Sequence, residues 1–353
     1  MGRLRLSFAA LGADAILVSH LPNIQYLCGF TGSAGLLLIE TAACTLFTDS
    51  RYTFQARQEV RGARIHIARR GLLRAAGGLL GALRGHRRVA YSPGNLTVAQ
   101  HGTLQTVAGK HTRWLNDGNV VEILRSVKDA DELALMSQAA SVVGSVFRRA
   151  LRLIRPGVTE LSLAAEIEYQ MKQLGAAGPS FETIVASGAR SAWAHARPSA
   201  KALRKSELVV LDQGVILRGY CSDMTRTVFL GRAPGRIRSL YNAVLDAQRA
   251  AKDAIRPGAT AGDVDRAARR TLQRSNLARY FTHSTGHGLG LEVHEMPRLA
   301  TGEKTILCEG MVLTVEPGVY IEGLGGIRIE DDVVVTNRGA RDLTTASRAF
   351  FEI

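Results

Sequence analysis

The chain lacks any apolar run long enough to cross a bilayer, which takes about 20 consecutive residues. Its best run, Ala34 to Ile39, reads as a buried strand. Cysteines are few and scattered: Cys28, Cys44, Cys221 and Cys308 form no Cys-x-x-Cys pair. That spacing excludes a thiolate zinc cage and a disulfide framework, and it fits a reducing, cytoplasmic compartment. No export signal is expected: Arg3 and Arg5 precede an Ala/Leu stretch, but Asp14 interrupts it and a strand follows. Leu6 breaks the myristoylation pattern. No repeat or low-complexity segment is evident. Acids are in short supply, with 31 Asp and Glu against 45 Lys and Arg and a net charge of +14. Such a balance suits nucleic-acid binding. Here the arginines are dispersed; local clusters occur at Arg84–Arg88 and Arg266–Arg270, and the second, at helical spacing, reads as a solvated face. Neither nucleic acid nor membrane is expected as a partner.

What is present points to two domains, the natural division of 353 residues. Residues 12 to 115 alternate short apolar runs with amphipathic stretches, the pattern of an α/β unit. Ala15–Val18, Gly35–Ile39, Cys44–Phe47 and Arg88–Tyr91 read as strands, and Tyr52–Val60, Leu72–Leu83 and Thr97–Val107 as helices. The polar stretch Asn116–Gly118 closes this domain, assigned to residues 1–124. The second, 125–353, opens on a long helix with apolar residues at helical spacing from Leu133 to Leu151. Asp129 and Glu132 form its capping box and Arg155-Pro156-Gly157 its stop. Helices follow at Glu160–Leu174, Arg236–Ile255 and Gly262–Ser275. Leu208–Leu217 and Gly219–Leu230 read as a hairpin turning near Arg218-Gly219, with late strands at Met311–Val315 and Gly326–Val335.

Five side chains carry the chemistry: Asp212 in VVLDQG, Asp223 in CSDMTRT, His287 in TGHGLG, Glu316 in TVEPG and Glu330 in RIEDD. Asp212 interrupts an apolar run, Glu316 ends one, and Glu330 lies between two. Taken singly, each reads as a strand-end carboxylate or half of a salt bridge. Taken together they are several buried acids, which would protonate unless they shared a cation. Hard oxygen donors with one imidazole suit Mn, Co, Zn or Fe(II), and two neighbouring divalent ions need several carboxylates between them. His283, His287 and His294 fall within HSTGHGLGLEVHE, whose glycines exclude an HExxH zinc helix. His195 lies in a loop of small residues.

The order Asp, Asp, His, Glu, Glu in these contexts resembles the pita-bread metallopeptidases: prolidase (Xaa-Pro dipeptidase), aminopeptidase P, methionine aminopeptidase and the metal-free creatinase. The resemblance is strong over residues 125–353. It is weaker over 1–124, where LPNIQYLCGFTGSAGLLLI is similar to a creatinase-type N-terminal domain. It implies an α/β N-terminal domain and an α+β C-terminal domain with a curved antiparallel sheet in two pseudo-twofold halves. It further implies two divalent ions, most readily Mn, with Asp223 and Glu330 bridging, Asp212 completing one site, and His287 with Glu316 the other. Such ions would supply hydroxide near neutral pH to attack an Xaa-Pro bond. His294 would steady the oxyanion, and Glu316 would carry the proton to the leaving nitrogen. His195 and His283 would position substrate, while Thr225 and Arg328 would support the ligand carboxylates. Arg298 resembles the prolidase arginine that holds a dipeptide's free carboxylate, equally readable as a surface ion pair. The family pairs as homodimers. A compact aminopeptidase P acting on Xaa-Pro-Yaa peptides stays open, as does a non-catalytic peptide- or nucleic-acid-binding relative.

Overall fold

The computed structural model describes residues 2–82 and 87–353; part of the expected Arg84–Arg88 cluster and the end of the expected helix at Leu83 lie outside them. The described residues form two compact units, divided between Arg125 and Ser126. Among them no helix is long and apolar enough to cross a membrane, and all four cysteines are free.

The first unit is built on a six-stranded sheet. Its strands are β1 (Ala15–Val18), β2 (Leu36–Glu40), β3 (Cys44–Thr48), β4 (Arg64–Ile67), β5 (Arg87–Tyr91) and β6 (Thr112–Asn116). They run in the order β4-β3-β2-β1-β5-β6. The central strands β1 and β2 are nearly all buried, as their unbroken apolar runs require. The edge strands β4 and β6 are half exposed and polar. That is why neither stands out by hydrophobicity, and β6 takes in Asn116, expected as a turn residue. The segment Leu21–Cys28 is a helix.

The second unit pairs its strands antiparallel throughout. β7 (Gly178–Pro179), β8 (Ile184–Ser187), β9 (Glu207–Gln213), β10 (Val215–Leu217), β11 (Tyr220–Cys221) and β12 (Met224–Leu230) come first. β13 (Gly286–Gly288), β14 (Glu295–Leu299), β15 (Val312–Val315), β16 (Gly318–Ile321), β17 (Gly325–Arg328), β18 (Asp331–Thr336) and β19 (Gly339–Asp342) follow. They make the sheets β12-β9-β8, β11-β10-β7, β14-β13-β15-β18-β19 and β16-β17. One helix pair, Ala130–Ala150 and Glu160–Gln173, buries its apolar face against β8, β9 and β12. A second, Gly235–Ala254 and Ala261–Arg274, does the same against β15, β17 and β18. The capping box on Asp129 forms with Glu132 as the sequence predicts. The two halves share a trace that the reading of repeats overlooked. Arg155-Pro156-Gly157-Val158-Thr159 and Arg256-Pro257-Gly258-Ala259-Thr260 each end in a threonine that N-caps the second helix of a pair.

The expected hairpin is present but does not stay in one sheet. It turns on Arg218 and Gly219, both left-handed at φ 50° and 89°, the geometry of a two-residue type I′ turn. Between β9 and β10 the chain bends at Gly214, so that β9 pairs with β12 and β10 with β11 in separate sheets. A Cβ on Gly214 would lie 2.1 Å from both Ser180 Oγ and the Ser222 carbonyl oxygen. Only glycine lets the chain pass this close to Ser180 and Ser222, which lie near Asp212 and Asp223 in the fold: Asp212 is two residues before Gly214 and Asp223 follows Ser222. Gly214→Ala is therefore expected to destabilise the protein by roughly 1–3 kcal/mol or more. Urea unfolding checks this; an unchanged midpoint would contradict the close approach.

Candidate metal centre

The site is assembled where strands break. Asp212 lies near the end of β9, in register with Ile184 of β8 and Thr225 of β12. Asp223 occupies the step between β11 and β12, its amide donating to Asp332 Oδ2 at 3.0 Å. The stretch expected as one strand, Gly326–Val335, is interrupted after Arg328, and Glu330 occupies the gap. There its amide donates to the Thr225 carbonyl at 3.1 Å. The interruption is held from beneath by Arg226, a fully buried residue that sequence reasoning missed. Its guanidinium donates to the Glu330 carbonyl at 2.6 Å, the Thr225 carbonyl at 2.9 Å and Asp331 Oδ1 at 2.8 Å.

His287 is carried on β13, where a Cβ on the preceding Gly286 would fall 2.0 Å from the Thr314 carbonyl oxygen. Its Nδ1 lies 2.9 Å from the Gly288 carbonyl. A carbonyl can only accept, so Nδ1 bears the hydrogen and Nε2 keeps its lone pair. Burial presses the imidazole's pKa down to about 4 and keeps it neutral. That lone pair faces Glu316 Oε1 at 3.6 Å and Asp223 Oδ2 at 3.8 Å. Atoms of Asp223, His287 and Glu330 all lie within 4.8 Å of one another.

Lone pairs turned on one another repel unless something positive stands among them. Burial raises Asp223 and Glu330 well above the ordinary carboxylate range, and neighbouring carboxylates push them further. Burial lifts Glu316 to about 8. Asp212 Oδ1 and Asp223 Oδ1 are buried without a hydrogen-bond partner, although such oxygens ordinarily find one. Oxygen donors left over, a neutral imidazole with its lone pair inward and acids reluctant to ionise together fit a divalent cation centre.

A second line of contacts orients these acids. Arg328 donates to Asp212 Oδ2 at 2.6 Å, to Thr225 Oγ1 at 3.0 Å and to the Tyr320 hydroxyl oxygen at 2.6 Å. Thr225 in turn donates to Glu330 Oε2 at 2.6 Å. His283 Nδ1 faces the Ser284 carbonyl at 2.8 Å, and burial and the Arg328 charge take the ring's pKa to about 4. Its Nε2 therefore accepts from Tyr320, 2.8 Å away. Tyr320, four residues beyond Glu316, was also missed; a tyrosine in an apolar strand gives no signal of its own.

A cavity of about 370 Å³ is lined by Asp212, Asp223, His287, Glu316 and Glu330 together with His195 and His294. His283 and Arg298 do not line it. His283 stands behind, its Nδ1 4.0 Å from Glu316 Oε2, and Arg298 is exposed on β14, in register with His287. The His195 loop is anchored by Glu160, fully buried, which accepts from Ser187 Oγ and amide at 2.8 Å, Arg190 Nε at 3.0 Å and Ser199 Oγ at 2.7 Å.

The raised acids fix the sign of a pH dependence. A carboxyl whose folded pKa exceeds its unfolded value contributes stability at low pH and loses it as pH rises through the folded value. For Glu316 that window runs from 4.5 to about 8, and Asp223 and Glu330 act in the same direction. In EDTA the melting temperature should fall across this window, and added Mn²⁺ should raise it more at pH 8 than at pH 5. Thermal scans at both pH values check this; equal metal shifts at the two would contradict it.

Residues 134–337 match Metallopeptidase family M24, and residues 1–127 match the Creatinase/Prolidase N-terminal domain. The Xaa-Pro dipeptidase of Pyrococcus horikoshii is 34% identical over 338 residues, 95% of this chain and 93% of its own. A solved Xaa-Pro dipeptidase from Bacillus anthracis matches with a TM-score of 0.95 at 35% identity, covering 100% of this chain and 98% of that one. The X-Pro aminopeptidase from Thermotoga maritima MSB8 matches at 0.91 and 34%, covering 99% and 100%. The chain belongs to metallopeptidase family M24, with a creatinase/prolidase N-terminal domain ahead of the peptidase domain.

Proposed function

We propose that the chain hydrolyses the bond before proline in Xaa-Pro dipeptides, using two divalent ions. The observation that carries this is the set of four acids and His287 lining one cavity, with Asp223 and Glu316 facing the imidazole's lone pair. The Xaa-Pro dipeptidases of P. horikoshii and B. anthracis support the substrate class. Asp223 and Glu330 would bridge the ions, with Asp212 completing one position and His287 and Glu316 the other. Bound ions of this kind supply hydroxide near neutral pH and polarise the scissile carbonyl.

The chain's own groups do the rest. Glu316, whose burial favours the proton, accepts it from the nucleophile and passes it to the leaving proline nitrogen. His294, at the cavity wall, donates to the oxygen that becomes anionic. His195 orients the substrate from the loop that Glu160 anchors. His283 acts through Tyr320 and Arg328 on the placement of Asp212. Arg298 is the resemblance's candidate for the substrate carboxylate. Manganese, a homodimer and a cytoplasmic location belong to the same proposal.

Purified, metal-replete protein is expected to hold two ions per chain by elemental analysis and to cleave Xaa-Pro dipeptides. Asp223→Ala and Glu330→Ala should lower kcat roughly 10³-fold or more, as loss of one member of a cooperating set does, with circular dichroism unchanged. Full turnover in either variant would refute the ligand assignment. Faster cleavage of Xaa-Pro-Yaa than of Xaa-Pro would instead favour the aminopeptidase reading, which the T. maritima structure keeps in view.

A further inference from the structure

The helix Gly235–Ala254 and the stretch Arg348–Phe350 line another cavity, of about 410 Å³, that shares no lining residue with the first. Arg249, Lys252 and Arg348 stand in its wall, and among the described residues that line it there is no acid. Tyr241 and Phe350 also line it, their rings stacked at 4.3 Å. The acids that answer these cations lie outside the lining. Asp331 and Asp342 both pair with Arg348 and Lys252, and Asp331 pairs with Arg226 as well. Three cations on two carboxylates leave one positive charge over. Arg249 pairs with Asp246 at 3.3 Å, the two side chains 65% and 60% exposed, which is a weak hold. Gln248 adds a different requirement. It lines the cavity and is fully buried. Its Nε2 donates to Asp331 Oδ2 at 2.9 Å and to the Val315 carbonyl at 3.3 Å. A carbonyl and an ionised carboxylate can only accept, so the amide's orientation is fixed and Oε1 is the acceptor left over. That oxygen has no hydrogen-bond partner, although buried acceptors ordinarily have one.

We infer that this cavity is a binding site for hydrogen phosphate, separate from the metal centre. Arg249, Lys252 and Arg348 take its charged oxygens, and its own O–H donates to Gln248 Oε1. Guanidinium groups suit such oxygens because their N–H donors match them in pairs. The set also selects against similar molecules. A free amino acid offers an ammonium to Gln248, but three cations repel that group. Sulfate brings the charge without a hydrogen at neutral pH, so it turns a lone pair on Oε1 and leaves the acceptor unpaired.

Metal-loaded protein, freed of excess ions, is titrated with inorganic phosphate and with sulfate at pH 7 by calorimetry. Phosphate should fill one site per chain that prefers it to sulfate about tenfold or more, the scale of one buried hydrogen bond made or missed. Arg249→Ala changes an exposed side chain and leaves the fold alone; it should weaken both anions at this site about tenfold, the scale of one charge-assisted contact. Arg249→Lys should recover part of that loss. Gln248→Met should bring phosphate and sulfate level. That variant also loses the donor to Asp331 and Val315, so circular dichroism checks its fold, and Arg249→Ala decides alone if it does not fold. Phosphate affinity untouched in Arg249→Ala, the result expected if phosphate sits only on the metal ions, would overturn the inference. So would sulfate bound by wild type as tightly as phosphate, or no binding of either anion.

Discussion

Everything in the catalytic unit answers to one electrostatic constraint. Asp223, Glu316 and Glu330 are gathered within reach of a neutral imidazole whose free lone pair points at the acids. Burial penalises each charge and the neighbouring carboxylates add to the penalty, while Arg328 offsets only part of it for Glu316 and Glu330. Protons can relieve it one acid at a time, but a divalent cation relieves it for all of them at once. The centre is thus unfavourable on its own, and the rest of the unit holds it together.

Two buried arginines do much of that holding, and they differ in kind. Arg226 never reaches the acids' charged ends. It ties the Glu330 carbonyl to β12 and forms a fully buried pair with Asp331, which also accepts from Gln248 and Arg348. Asp331 is held below the ordinary carboxylate value because these cations outweigh its burial. Adjacent residues of one Glu-Asp-Asp run therefore meet opposite fates: Asp331 is compensated, while Glu330 and Asp332 are not. Arg328 is the other kind. It touches Asp212 directly and Glu330 through Thr225, fixing which oxygens remain for a cation. Breaking such buried pairs leaves an uncompensated charge, so the support is expected to be as intolerant of change as the acids themselves.

Much of this was legible in the residues. Of the four candidate acids, Asp212, Glu316 and Glu330 stood out because each interrupts, ends or lies between apolar runs where a charge has no ordinary place, and the glycines around His287 exclude a helix; Asp223 and the full set came with the family resemblance. The capping box at Asp129 and the turn at Arg218-Gly219 are local chemistry and were readable as such. What escaped is long-range. Nothing in GGIRIEDDVVVT announces a break before Glu330, since its cause is hydrogen bonding to Thr225 and Arg226, a hundred residues upstream. Tyr320 and Arg226 are ordinary strand residues until the fold brings their partners to them. The edge strands β4 and β6 hid because edges are half polar. The Arg-Pro-Gly-x-Thr pairing escaped because five residues are too few to suggest a repeat without the helices they cap.

The central claim is that these five groups, and no others, hold a pair of ions. A crystal grown with Mn²⁺ and measured at the manganese absorption edge tests it most directly. Two anomalous peaks should lie among Asp212, Asp223, His287, Glu316 and Glu330, with Asp223 and Glu330 touching both. Peaks elsewhere, or a single peak that leaves Asp212 or Glu316 unengaged, would contradict the account.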